Sequence, residues 1–295
     1  MSVTIEPIRA DHPDFAGRVT GVDVAAGVSA EDAAEIEAGM DKFAVLVLPG
    51  QVIDDRQQFA FSTRFGPMEK ATGDIAKSDQ RRLSMDINDI SNLDKDGKVM
   101  GRDDRRRLFN LGNMLWHSDS SFKPTPAKYS LLSARAIPSG GGNTEFADMR
   151  AAWDALDEPT REKCVDQVCE HSQIYSRGLL GFDAWDAEEL EKNRPVQQRL
   201  VRRHPGSGRL SLYLASHAGK IAGWPTPEAR MFLRDLTEHA TQRRFVYAHE
   251  WRQWDLVMWD NRAVMHRARA YDHTQVRDMH RTTVADCAPT LEQAL

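Results

Sequence analysis

The sequence predicts a mainly β protein with flanking helices, an antiparallel barrel or double-sheet jelly roll, occupying residues 1–295 as one domain. Three observations predict it. The second half carries short apolar or β-branched runs separated by turns. Those runs do not alternate with the helices that a doubly wound parallel sheet would need as crossovers. No repeat, low-complexity tract or Pro/Gly/Ser linker divides the chain.

The elements follow in order. Ser29-Ala30-Glu31-Asp32 sets a capping hydroxyl three residues before an acid, so a helix opens there and runs to about Met40. Ala44-Val45-Leu46-Val47-Leu48 reads as a buried strand ended by Pro49-Gly50. Asp54 or Asp55 can cap a second helix through Phe65. Thr226-Pro227-Glu228 offers a capping hydroxyl, a proline in the first turn and an acid at the positive dipole end. Ala229, Phe232, Leu233, Leu236 and Ala240 then share one helical face. Leu210 to Leu214, Leu256 to Trp259, Ala263 to Met265 and Thr282 to Ala285 read as short strands, with a turn at Asp260-Asn261.

Composition narrows the function classes. With 39 basic against 44 acidic side chains the net charge is −5, which disfavours a nucleic-acid partner or an anionic membrane surface. The longest apolar run, Phe43 to Leu48, has six residues, far short of the ~20 of a spanning helix. The first twenty residues hold Glu6, Asp11 and Asp14 and no apolar signal region, so a cytoplasmic location is expected. Cys164, Cys169 and Cys287 are an odd number without zinc or redox spacing, and read as reduced core thiols, the first two in a helical segment. Nothing in the sequence decides oligomeric state, and a homo-oligomer stays open.

Chemistry begins at His117-Ser118-Asp119, because a strand alternates faces and would project His117 and Asp119 into one space. Alone this is weak: the two His-x-Asp triplets, the other at His12-Pro13-Asp14, are no more than ten histidines and 44 acids give by chance. His266 supplies a third candidate after the apolar run Asp255 to Trp259. Two imidazoles and one carboxylate on one face of a metal make the triad that suits Fe(II) and leaves positions open for substrate. Arg277 and Arg281, four apart, fall on one face if this piece is a strand and are candidate anion clamps; a solvated basic stretch with Arg267 and Arg269 is the plainer alternative. Gly140-Gly141-Gly142 lets backbone approach a ligand, with Thr144 as a hydroxyl donor behind it.

Ordered matches along nearly the whole chain tie these signals together: Val19-Thr20-Gly21-Val22-Asp23, Arg64-Phe65-Gly66-Pro67, Ile90-Ser91-Asn92, Trp116 to Phe122, Gly141 to Phe146, Trp259 to His266 and Arg277 to Thr283. On these residues the sequence resembles the Fe(II)- and 2-oxoglutarate-dependent dioxygenases that include taurine dioxygenase and 2,4-dichlorophenoxyacetate dioxygenase. Asn113 to Ser121, Asp148-Met149-Arg150-Ala151-Ala152 and His239 to Arg243 are most similar to the 2,4-dichlorophenoxyacetate branch. The resemblance implies a double-stranded β-helix in which His117, Asp119 and His266 ligate iron. It implies that Thr144 and Arg281 hold the distal carboxylate of 2-oxoglutarate, while Arg277 lies by the chelating end.

It also implies a reaction. Dioxygen is inert toward closed-shell substrates until a redox metal activates it beside an electron donor. Oxidative decarboxylation of 2-oxoglutarate to succinate and carbon dioxide would be coupled to hydroxylation of an aryloxy acid at the carbon bearing the ether oxygen, releasing a phenol and glyoxylate. Ile75, Lys77, Asn92, His204 and His217 are candidate substrate contacts by position, and Ser172 to Arg199 is a candidate cover over the site. The same chemistry on a sulfonate such as taurine or another small anionic acid is the nearest alternative. A zinc hydrolase using the same three residues, or a non-catalytic binding protein, are the others.

Overall fold

Along Leu256–Asp260 every residue is buried, because both faces of this strand are covered. Leu256 and Met258 join one apolar cluster with Leu46, Leu48 and Leu131. Val257 and Trp259 join another with Val45, Val47, Leu132 and Ala134. That period-two partition sorts the whole molecule into an inner and an outer face.

The computed structural model describes residues 2–71 and 81–295. A seven-stranded sheet runs in the order Thr4–Pro7, Gly17–Thr20, Val45–Leu48, Leu256–Asp260, Ala127–Ala136, Asp278–Ala285, Asn88–Asp89. Its only parallel pair among the described residues is Gly17–Thr20 with Val45–Leu48. Facing it, Thr144–Asp148 lies between Val246–His249 and Val264–Ala268. Phe146 and Val264 of this smaller sheet pack with Val257, Trp259 and Met279 of the larger one, so the two largely antiparallel sheets enclose a common interior, as in a jelly roll. The outer face of the large sheet is covered by the helices Ala30–Phe43 and Asp55–Ser62, through Ile36, Met40 and Phe61. The outer face of the smaller sheet, through Ala147 and Met265, meets Thr226–Ala240, through Ala229, Leu233 and Leu236.

The helix signals hold with differences that have physical causes. Ser29 caps Ala30–Phe43 and accepts from the Asp32 amide, and the helix continues past Met40 to a left-handed Ala44. The predicted strand therefore begins at Val45. Asp54 builds a capping box with Gln57 over Asp55–Ser62, and Thr63–Phe65 continues as a 3-10 turn. Thr226 is not a cap: Pro225 holds that place without a side-chain bond, and Thr226 is already helical. The segment holding the first two cysteines is not one helix, since Cys164 ends Glu158–Val165 while Cys169 lies in the strand Val168–His171. Both are buried, and burial raises each thiol to about 12; Cys287 is exposed rather than in the core. Among the described residues no helix is long and apolar enough to cross a membrane.

Candidate metal centre and its cavities

The residues predicted to share a metal meet at the inner face. His266 has the same parity as Val264 on Val264–Ala268 and so points inward. His117 and Asp119 are not on a regular strand, contrary to the sequence expectation. His117 makes a single antiparallel bridge to His266, its amide donating to the His266 carbonyl at 3.0 Å and receiving the reverse bond at 2.8 Å. Asp119 sits in the turn beyond, its amide donating to Asn261 Oδ1 at 3.0 Å.

Ligand atoms of His117, Asp119 and His266 all lie within 4.8 Å of one another. His117 Nε2 is 3.8 Å from Asp119 Oδ1, and His266 Nε2 is 3.6 Å from Asp119 Oδ2. Both spans are shorter than the ~4.2 Å that two ligands about 2.1 Å from one ion can bridge. His117 Nδ1 donates to the Leu115 carbonyl at 2.7 Å, which leaves Nε2 a lone pair facing the carboxylate. His266 Nδ1 is buried and unpartnered. Burial, then His117 beside it, holds His266 well below the usual histidine range, and burial likewise lowers His117, so both rings are neutral donors. Burial by itself would raise Asp119, but Arg281, His266, His117 and the Ser130 bond outweigh it and hold the group below the ordinary carboxylate range. Two neutral imidazoles and one ionised carboxylate are the donor set that a divalent transition metal takes, so the residues fit the group.

Three residues that sequence reasoning did not assign to the site orient this carboxylate. Ser130 Oγ donates to Asp119 Oδ2 at 2.7 Å, Asn261 Nδ2 donates to Ser130 Oγ at 3.0 Å, and Trp259 Nε1 donates to Asn261 Oδ1 at 3.1 Å. The available signal was a serine among apolar residues in Tyr129-Ser130-Leu131-Leu132.

Arg277, Arg281 and Thr144 line one small cavity with His117 and His266, although Arg277 precedes the strand Asp278–Ala285. Their order along it runs against the sequence assignment. Arg281 reaches the metal end, where Nη1 donates to Asp119 Oδ1 at 2.5 Å. Arg277 lies toward the glycine turn: a Cβ on Gly142 would stand 3.4 Å from its Nε, and its Nη1 donates to the Ile90 carbonyl at 3.3 Å. Thr144 Oγ1 accepts from Trp251 Nε1 at 3.0 Å, and Trp251 and Arg277 share the adjoining cavity beside Gly140 to Asn143. Arg267 is occupied elsewhere, pairing with Glu145 at 2.7 Å.

The substrate candidates divide. His217 lines a second cavity together with His117 and Asp119, its ring 6.1 Å from that of His117. Asn92 borders a neighbouring cavity, but its side chain is committed to the loop that carries Arg277: it donates to the His273 and Gln275 carbonyls and accepts from the Arg277 amide. His204 is a correction. It is buried against Asp260, 2.8 Å from Oδ2, and lines none of these cavities, because the Asp260–Arg262 pair claims it. Ile75 and Lys77 lie outside the described residues. The candidate cover is built, with helices Gln173–Gly178 and Ala187–Lys192 held through Phe182 and Trp185 on Phe109 and through an Arg105–Glu189 ion pair at 2.5 Å. Its Gln173 and Arg177 line the His217 cavity.

Comparison with known proteins identifies the family. Residues 4–283 match the model of the taurine catabolism dioxygenase TauD, TfdA family. The chain is 44% identical over 288 residues to the alpha-ketoglutarate-dependent 2,4-dichlorophenoxyacetate dioxygenase of Cupriavidus pinatubonensis, covering 98% of this chain and 99% of that one. It is 37% identical to the (S)-phenoxypropionate/alpha-ketoglutarate-dioxygenase of Delftia acidovorans, over 94% of each chain. The crystal structure of AAD-2 in complex with Mn(II) and N-oxalylglycine superposes with a TM-score of 0.95 at 55% identity, covering 98% of this chain and 100% of that one.

Proposed function

From the premise that this chain belongs to the taurine catabolism dioxygenase TauD, TfdA family, we propose that it hydroxylates the carbon next to the ether oxygen of an aryloxyacetate such as 2,4-dichlorophenoxyacetate. The products are a phenol, glyoxylate, succinate and carbon dioxide. The chain is a 2-oxoglutarate-dependent dioxygenase that uses Fe(II), 2-oxoglutarate and dioxygen. The observation that carries the chemistry is the convergence of His117, Asp119 and His266 on one buried point beside two cavities.

The metal, when bound, supplies the redox chemistry that couples dioxygen to the keto acid. The rest is positioning by this chain's own groups. Ser130 bonds the Asp119 carboxylate while Asn261 bonds Ser130 and the Asp119 amide, so the ligand geometry exists before loading. Arg281 stands at the metal end and is suited to the carboxylate and keto group that chelate there. Arg277, with the Thr144 hydroxyl, is suited to the distal carboxylate. This exchange of the two arginines relative to the sequence reading is supported by the Arg281–Asp119 contact and by the place of Arg277 against the glycine turn. Phe109 and Phe122 line the His217 cavity and give an aromatic ring apolar contact. Identities of 44% and 37% over nearly whole chains with dioxygenases named for phenoxy acids favour that substrate class over a sulfonate.

The test is oxygen uptake and phenol release with Fe(II) and 2-oxoglutarate across phenoxyacetates, phenoxypropionates and taurine. Stoichiometric phenol and succinate from a phenoxyacetate is the expected result. Succinate coupled to taurine, with no phenol from any phenoxy acid, would replace this substrate with a sulfonate.

A further inference from the structure

Five arginines are buried among the described residues: Arg150, Arg177, Arg202, Arg262 and Arg277. Three are paired with a carboxylate, Arg150 with Asp148 at 3.0 Å, Arg262 with Asp260 at 2.6 Å, and Arg202 with Asp286. Arg177 and Arg277 have no carboxylate partner among the described residues. A guanidinium withdrawn from water without a counter-anion is costly, and a fold keeps one where an anion arrives later. Arg277 lies by the 2-oxoglutarate cavity, which accounts for one anion. The other guanidinium lines a different cavity.

Arg177, 4% exposed, lies in the last turn of the helix Gln173–Gly178 and shares the His217 cavity with His117, Asp119 and Phe122. The other cations lining this cavity each have a carboxylate: Lys123 Nζ sits 2.7 Å from Glu69 Oε1, and Arg281 Nη1 is on Asp119, with its buried Nε left without a partner. Arg177 Nη1 makes a 3.3 Å bond to Ser176 Oγ, and its Nε is buried without a partner. The guanidinium is held in place by its flat surroundings. It lies 4.5 Å over the Phe109 ring, and a Cβ on Gly112 would fall 2.2 Å from its Cζ, so the glycine is what lets the group rest on that turn. Ser176 also bonds His217 Nδ1 at 2.8 Å, tying both groups to one wall. Burial lowers Arg177 only to about 10, so it remains cationic at neutral pH.

We propose that Arg177 is the group that receives the carboxylate of the prime substrate, fixing an aryloxy acid by its charged end while Phe109 and Phe122 border the space for its ring. This rests on the aryloxyacetate reading for the substrate's name, and on the unpaired guanidinium for its charge. A bidentate fork on a carboxylate selects acids over neutral aryl ethers of the same shape.

The test compares phenoxyacetate with neutral phenoxyacetamide, in equilibrium binding to anaerobic enzyme loaded with Fe(II) and 2-oxoglutarate and in KM against kcat. Wild type should prefer the acid by at least about 30-fold, the scale of one buried charge-assisted contact. Arg177→Gln should erase that preference while the 2-oxoglutarate dissociation constant moves less than about twofold. Arg177→Lys should restore part of it, since charge returns without the fork. Gly112→Ala should act like Arg177→Gln, because the new methyl displaces the flexible guanidinium, and it keeps the test alive if Arg177→Gln does not fold. Retention of the acid preference in Arg177→Gln and Gly112→Ala would overturn the proposal, as would an equal loss of 2-oxoglutarate affinity. If wild type takes no phenoxy acid at all, the aryloxyacetate reading fails. The anchor is then measured on whichever acid stimulates 2-oxoglutarate turnover, against that acid's amide.

Discussion

Two buried clusters in this protein use the same residue types and do different work. At one, His204 Nε2 donates to Asp260 Oδ2 at 2.8 Å and its Nδ1 accepts from the Ser207 amide at 3.1 Å, while Arg262 grips both Asp260 oxygens. At the other, His117 and His266 turn Nε2 toward Asp119 from 3.8 and 3.6 Å without bonding it, and His266 Nδ1 has no partner. The first cluster is saturated and holds structure. The second leaves acceptor capacity free in a buried place, which marks a ligand site because unmatched buried polar atoms cost free energy.

Breaking that contrast gives the largest effect at the open cluster. Asp119→Ala should eliminate succinate formation in the presence of Fe(II) and 2-oxoglutarate with native circular dichroism, and retained turnover would remove Asp119 from the ligand set. At the saturated cluster, Asp260→Ala strands Arg262 and His204 and should cost about 3–5 kcal/mol of stability in urea unfolding. A loss confined to activity would reverse the two roles. Ser130→Ala removes one bond to the Asp119 carboxylate and should weaken metal binding about 10- to 100-fold in an anaerobic iron titration; unchanged affinity would assign the orientation to Arg281 and to the Asn261 bond on the Asp119 amide.

A third cluster, part way between the two, yields the smallest effect. His280 sits between Asp55 at 2.5 Å and Asp278 at 3.2 Å, near the sheet edge. Burial alone would lower its pKa, but the bonds to Asp278 and Asp55 prevail and raise it. A raised folded pKa means a proton held more tightly when folded, so this stability is complete below the unfolded value of about 6.5 and is lost as pH rises through the folded value. Asp278, whose burial is outweighed by bonds to His280 and Arg82, falls to about 2, and its contribution is lost only as pH drops toward that value. Urea unfolding from pH 6 to 9 should show stability declining in wild type and flatter in His280→Gln. Equal slopes in both proteins would assign the alkaline decline to another group.

Much of this was legible in residue order, and the failures are instructive. The triad His117, Asp119 and His266 was readable because family resemblance joined three candidates that residue type alone left weak. Even so, the reason given for pairing His117 with Asp119, strand alternation, differs from the bridge and turn that bring them together. His204 was placed in the site on position and residue type, and both are shared with structural histidines. The spacing of Arg277 and Arg281 says that they share a face but not which one nears the metal. That depends on register: Arg281 lies opposite Leu132, and Thr283 opposite Ser130, the residue that bonds Asp119.

Side-chain alternation, caps and turns acting over a few residues determined by themselves the short strands of the second half and the starts of Ala30–Phe43 and Asp55–Ser62, while residue type together with family resemblance singled out the metal-binding groups. Tertiary structure alone decided which charges are cancelled and which are left waiting. Arg150, Arg202 and Arg262 find carboxylates, whereas Arg177 and Arg277 line cavities with no carboxylate paired to their guanidinium groups among the described residues. Charge compensation depends on which side chains arrive within a few ångströms of each other, and distance along the chain, 84 residues for Arg202 and Asp286, carries no information about that.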